Sequence, residues 1–207
     1  MDIVMNTRQA KPLNLSEYQV LFNLTPEDLD KKIIDFPAGL NSFSAEMFQQ
    51  NRPAVACDKL YADSLALKQL AEKIVTENQP GADKVATIKY FEKDFPQGFK
   101  ENRYVAGNLP ELPFSNHQFD LLLCSFFFFF NGDDVDNGWN NLMEMLRIAT
   151  EVRISPLLAD HNPEKLLGPL MLKLQMHSFG IEIRSISSPK LPASAMLRVW
   201  SQHCSVP

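Results

Sequence analysis

Cysteine, glycine and blocks of basic charge are all scarce in this chain, and each shortage removes a class of protein. The three cysteines, Cys57, Cys124 and Cys204, show neither CxxC nor Cys/His spacing. That argues against a zinc site and, the number being odd, against a disulfide framework, so Cys57 and Cys124, inside apolar runs, read as reduced core thiols. The eight glycines include no GxGxxG, which counts against a nicotinamide-dependent oxidoreductase. Lys and Arg number 20 against 25 Asp and Glu, a net charge of −5, so no footprint for nucleic acid or an anionic membrane is expected. Met1 to Lys11 lacks the apolar core of a secretory signal, and Leu121 to Phe130, interrupted by Ser125, is far shorter than the roughly 20 residues of a spanning helix. A soluble, cytoplasmic protein is the expectation.

What is present suits one globular core: 207 residues, 45% of them apolar, predict a single domain over 1–207 with residues 1–32 as a helical lead-in. Thr25-Pro26-Glu27-Asp28 reads as a helix start, with a hydroxyl cap, a proline and acids in the first turn. Ile33-Ile34-Asp35-Phe36 reads as a strand, Pro37 to Asn41 as a turn, and Ser42 to Gln50 as a helix capped by Asn41 or Ser42. Ala54 to Cys57 is a second strand, followed by a helix carrying Leu67, Leu70, Ala71, Ile74 and Val75. A weaker helical pattern runs from Asp83 to Phe95, with Pro96 and Gly98 read as a surface connection. Strands are expected at Tyr104 to Ala106, Phe119 to Ser125 and Glu151 to Ile154, and helices around Trp139 to Leu146 and from Pro163 to before Gly180. Two late alternating strands, around Ile181 and Ile183 and then Met196 to Trp200, are joined by a loop alone. The pattern predicts an α/β, Rossmann-like, seven-stranded, mostly parallel sheet with an antiparallel last strand and helices on both faces.

In such a sheet ligands sit beyond the carboxyl ends of the strands, which selects Asp35 to Ser42, Asp58 to Tyr61, Gly107 to Leu109 and Cys124 to Phe127. Within these stretches Ile33-Ile34-Asp35-Phe36-Pro37-Ala38-Gly39, Asp58, Gly107 to Phe114 followed by Phe119 to Ser125, and Glu144 to Ile148 followed by Glu151 to Ile154 carry a resemblance. From about Ile33 to about Trp200 the chain resembles the class I S-adenosylmethionine-dependent methyltransferases. The Arg103-Tyr104-Val105-Ala106-Gly107 and Leu112-Pro113-Phe114 segments, with Met196 to Val199, look like a bacterial subgroup of uncharacterised methyltransferase-like proteins.

The resemblance implies S-adenosylmethionine as cofactor. It implies that Asp35 holds the amino end of that cofactor, that Pro37, Ala38, Gly39 and Ser42 form the first turn beside it, and that Asp58, with Lys59 and Leu60, meets the ribose and ring. Asn108 stands where relatives have an aspartate facing the adenine amino group, Leu109 offers its backbone N–H, and Cys124 and Ser125 end the strand nearest the methyl acceptor. Residue chemistry agrees: a carboxylate at position 58 offers two acceptor oxygens to two hydroxyls, and an amide oxygen accepts the bond an aspartate would.

Phe126, Phe127 and Phe128 are candidates for an apolar acceptor pocket, although aromatic runs also pack as core. His117, His161, His177 and His203 lack metal-ligand spacing, and Asp133, Asp134 and Asp136 read as a solvated helix start. No catalytic side chain is evident and no metal is expected. The implied activity is direct methyl transfer; the acceptor is unidentified and expected to be a small molecule. The alternative is a non-catalytic methyltransferase-like ligand-binding or interaction protein with a degenerate cofactor motif.

Overall fold

The computed structural model describes residues 12–77, 81–125, 134–157, 163–188 and 191–201. Its centre is a seven-stranded sheet in which β1 (Ile33–Asp35), β2 (Val55–Cys57), β3 (Tyr104–Val105), β4 (Phe119–Ser125), β5 (Ala149–Ser155), β6 (Phe179–Ser188) and β7 (Leu191–Ser201) stand in the order β3-β2-β1-β4-β5-β7-β6. The first five strands pair in parallel, and β7 runs antiparallel to both β5 and β6. This is the mostly parallel sheet with an antiparallel finish that alternating strands and helices imply.

The inner strands are apolar on both faces because helices cover both. Successive side chains alternate between them. Ile34, Leu122, Cys124, Val152 and Ile154 meet α5 (Val135–Ile148) and α6 (Pro163–Met176) on one face. Ile33, Leu121 and Leu123 meet α1 (Leu15–Leu21) and α2 (Phe43–Gln49) on the other. Beside β2 and β3 a third cluster joins Leu67, Ala71 and Ile74 of α3 (Ser64–Glu77) to Ile88 and Phe91 of α4 (Ala82–Lys100) around Tyr61 and Tyr104. No helix among the described residues is long and apolar enough to cross a membrane.

Three local expectations are corrected. The Thr25 signal opens only a 3-10 turn, Asp28–Asp30. Thr25 and Asp28 exchange side-chain and backbone hydrogen bonds there, and the Asp28 carboxylate is turned toward Arg153. The lead-in helix lies earlier, as α1, and its signal is a capping box in which Asn14 accepts from the Glu17 N–H while the Glu17 side chain accepts from the Asn14 N–H. Finally, α4 runs through Pro96 and Gly98 instead of stopping. Two features favour this continuation: Arg103 and Tyr104 both bind Asp94, and Gly98 lies so close to Tyr104 that a Cβ there would stand 2.4 Å from its ring.

Candidate functional site

The chain passes from β1 outward to β2 and β3, then returns across β1 to start β4 on its other side. Where strand order reverses, the loops after neighbouring strands diverge and leave a crevice at their carboxyl ends. Asp35 ends β1 at that point, and Ser125 ends β4.

Asp35 is buried, at 1% exposure. Its Oδ2 accepts a hydrogen bond from the Tyr18 hydroxyl at 2.8 Å, while its Oδ1 has no hydrogen-bond partner among the described residues. Burial pushes this carboxyl up to about 8, the nearby Asp58 charge adds to the rise, and the Tyr18 and Asn41 side chains oppose it. A buried carboxylate oxygen without a donor is costly, and it is suited to a cationic ligand group.

The turn after β1 is shaped by Gly39, whose φ of +52° is a left-handed conformation that glycine adopts without a Cβ penalty. Its N–H donates to Asp58 Oδ2 at 2.8 Å, and its carbonyl accepts from the Tyr61 hydroxyl at 2.9 Å. Pro37 is half-buried and Ala38 buried, with the Ala38 N–H donating to the Cys57 carbonyl. Ser42 is buried at the N-cap of α2, but its hydroxyl binds Glu46 instead of capping the helix backbone. Asn41 also departs from the cap expected of it. Its side chain accepts from the Leu13 N–H and donates to the Tyr18 hydroxyl at 2.6 Å.

Asp58 ends β2 at 4% exposure, and burial raises its carboxyl above the ordinary value against the pull of the Leu60 and Gly39 N–H groups. Oδ1 accepts from Leu60 N–H at 2.9 Å and Oδ2 from Gly39 N–H. It therefore ties the β1 turn to the β2 turn, with a second acceptor direction left on each oxygen. Lys59 is exposed and Leu60 is half-buried against the third cluster.

Asn108 is exposed and Leu109 is half-buried against the main core. Their loop is braced from α5: Glu144 accepts from the Leu112 N–H at 2.7 Å, and Arg147 donates to the carbonyls of Leu112 and Phe114. This gives a physical role to Glu144 and Arg147, which the sequence marks only as part of a later helix. Gly107 is close-packed as well, since a Cβ there would lie 2.7 Å from Cys57 Sγ.

Cys124 and Ser125 are buried at the end of β4. Burial pushes both free thiols up, Cys57 to about 12 and Cys124 further, so neither is a nucleophile at neutral pH. Phe126, Phe127 and Phe128 lie outside the described residues, as do His161, His203 and Asp133. His117 is in an exposed turn, and His177 follows the end of α6. Asp134 caps α5 through the Asn137 N–H, and the exposed Asp136 pairs with Lys173. Among the described residues no group of three His, Cys, Asp or Glu side chains is arranged to hold a metal ion.

The structure thus brings Asp35, Gly39 and Asp58 together and adds a cover that periodicity does not reveal. Tyr18 is fully buried, stacked on Phe43 with ring centroids 4.5 Å apart, and its hydroxyl bridges Asp35 and Asn41. The segment around it is tied from α4 by Lys84, which reaches Glu17 and the Pro12 carbonyl. The capping box was the one sequence signal that could have located this element.

No family model matches the chain. An uncharacterised protein of Methanocaldococcus jannaschii is 25% identical over 169 residues, 70% of this chain and 76% of that protein. The relative is archaeal and does not support the bacterial subgroup expected from the sequence. Among solved structures, magnesium protoporphyrin IX methyltransferase from Synechocystis PCC 6803, with bound S-adenosylmethionine, superposes with a TM-score of 0.50 at 14% identity, covering 85% of this chain and 73% of that one. The fold is accordingly the Rossmann-like fold of class I methyltransferases.

Proposed function

We propose that the chain is an S-adenosylmethionine-dependent methyltransferase that acts on a small-molecule acceptor by direct methyl transfer. The observation that carries this reading is the buried Oδ1 of Asp35, without a hydrogen-bond partner among the described residues, at the reversal of strand order. The residues present fit the cofactor. Asp35 would hold its ammonium group, and Gly39, lacking a side chain, would let the backbone of the first turn come near. Asp58 would take ribose hydroxyls on its remaining acceptor directions. The Asn108 amide, the Leu109 N–H and the Leu60 side chain would serve the adenine, with Ser125 at the acceptor side.

The bound cofactor supplies a methyl group already activated on a sulfonium. The chain then has to align the acceptor and exclude water, so a general base need not be conspicuous. Tyr18 and Asn41, closing over Asp35, supply part of that exclusion. The net charge of −5 supports a small acceptor over a nucleic acid, and the bacterial subgroup and a cytoplasmic location remain part of the proposal.

Isothermal titration with S-adenosylmethionine, its demethylated product and a nicotinamide cofactor tests the reading. The expected result is binding of the first two, weakened about tenfold or more in Asp58→Ala, as loss of a charge-assisted hydrogen bond implies. The second reading, a non-catalytic relative, is favoured by one observation: both Asp58 oxygens already accept backbone N–H groups. Absence of binding at about 1 mM ligand, where the free energy falls to about 4 kcal/mol, would overturn the enzyme reading in favour of that one.

A further inference from the structure

The sheet ends at β6, a strand of ten residues paired with β7 on one side and with no strand on the other among the described residues. A long edge strand offers unpaired N–H and C=O groups to another chain unless lysine, proline or a bulge blunts it. β6, with sequence FGIEIRSISS, contains neither lysine nor proline, and its irregularity falls only at its far end, between Ile186 and Ser188.

The middle of this edge is self-complementary. Register with β7 sets Glu182 beside Arg198, Ile183 beside Leu197 and Arg184 beside Met196. Glu182 and Arg184 thus share the face that carries Arg153, and Ile183 lies on the face covered by α6. A two-fold axis normal to the sheet through Ile183 pairs the strand antiparallel with itself and preserves both faces. Glu182 then stands opposite Arg184 of a second copy, and Arg184 opposite its Glu182, giving two cross-strand ion pairs. On the other face Ile183 meets its own counterpart. There Ile183 is 44% exposed, and Leu172 and Met176, one turn apart on the helix that leads into β6, are 60% and 74% exposed.

We propose that the chain forms a two-fold symmetric homodimer by antiparallel pairing of β6 with β6 of a second copy. The charges commit the occupant to a second copy, because a Glu-Ile-Arg sequence read antiparallel matches itself. Within one chain Arg184 holds Glu182 at 2.7 Å, with side chains 46% and 32% exposed. Such an exposed pair is weakly held, so Arg184 can exchange partners across the two-fold while Arg198, 3.4 Å away, still faces Glu182.

Analytical ultracentrifugation of the whole chain over a dilution series tests this, with twice the 23.5 kDa of one chain as the expected mass at the concentrated end. Arg184→Glu and Glu182→Arg each set like charges opposite one another and are expected to weaken the dimer about tenfold or more, whereas the double exchange restores it. Circular dichroism checks that each variant is folded. Should a reversal fail to fold, Ile183→Cys provides an independent readout. Opposed Cβ atoms of paired strands lie about 4.5–5.5 Å apart, and in a Cys204→Ser background mild oxidation of Ile183→Cys is expected to give a disulfide-linked dimer that the background alone does not give. A wild type that sediments as one chain throughout overturns the proposal and leaves the edge to a different partner. So do folded single reversals that dimerise as wild type does, or a folded double exchange that stays dissociated.

Discussion

Two groups of buried carboxylates in this molecule are treated in opposite ways. At the ends of β1 and β2, Asp35 and Asp58 are 1% and 4% exposed, and among the described residues no lysine or arginine is hydrogen-bonded to either. Across β5 and β7, Asp28 and Glu151 are 5% and 7% exposed, yet Arg153 binds Asp28 through both terminal nitrogens and Glu151 through Nε, and Arg198 holds both oxygens of Glu151. Burial raises all four carboxyls. In the second group the guanidinium bonds, with Lys31 on Asp28, outweigh it and hold both below the usual range, whereas Asp35 rises to about 8. The same burial therefore yields a satisfied structural network at one place and an unsatisfied acid at the other. An uncompensated charge costs stability and is retained most readily where a ligand will face it.

The largest effect is expected from breaking the satisfied group. Arg153→Met strips a cation from Asp28 and Glu151 and also frees the Phe22 and Asn23 carbonyls that Arg153 holds. Loss of one partner of a buried pair costs about 3–5 kcal/mol, measurable by urea denaturation, and an effect below about 1 kcal/mol would erase the contrast.

Asp35→Asn attacks the other side of the comparison. Affinity for S-adenosylmethionine is expected to fall about tenfold or more by titration calorimetry, while stability at alkaline pH rises. The sign follows from the raised value. The stability that protonated Asp35 contributes is complete below its unfolded pKa of about 4 and is lost as pH rises through about 8. The asparagine variant lacks that loss. The depressed Asp28 and Glu151 behave oppositely, contributing stability above about 4 and losing it as pH falls. For the same reason, wild-type affinity for the cationic cofactor should increase as pH approaches about 8.

Smaller effects sharpen the contrast locally. Gly39→Ala has room for its methyl group, the nearest atom being Asp58 Oδ2 at 4.0 Å, so the cost is that of the positive φ, about 1–2 kcal/mol in thermal denaturation. Asn14→Ala removes the α1 cap at about 1 kcal/mol. Because α1 supplies Tyr18 to one group and its following carbonyls to the other, hydrogen exchange should quicken at both ends of this helix.

Much of the fold was legible because strand and helix signals are local. Ile33-Ile34 and Leu121-Leu122-Leu123 are apolar at every position, as strands buried on both faces require, and β4 matches its expected span of Phe119 to Ser125. Strand ends then directed attention to Asp35, Gly39 and Asp58, which do lie together. Less legible were elements defined by distant partners. Pro96 continues α4 because Arg103 and Tyr104 clamp it from outside, and Tyr18 carries no periodic signal that aims it at a carboxylate 17 residues away.

By itself, the order of apolar runs and turns determined a seven-stranded α/β sheet with an antiparallel finish and the strand ends where chemistry belongs, since backbone periodicity and turn chemistry are written in adjacent residues. Only the tertiary structure decided which acids meet an arginine and which stay without one. Glu151 and Arg198 are 47 residues apart and Asp28 and Arg153 125 apart. Whether a buried charge is compensated depends on which side chains the packed strands bring within hydrogen-bonding distance, and sequence spacing does not encode that.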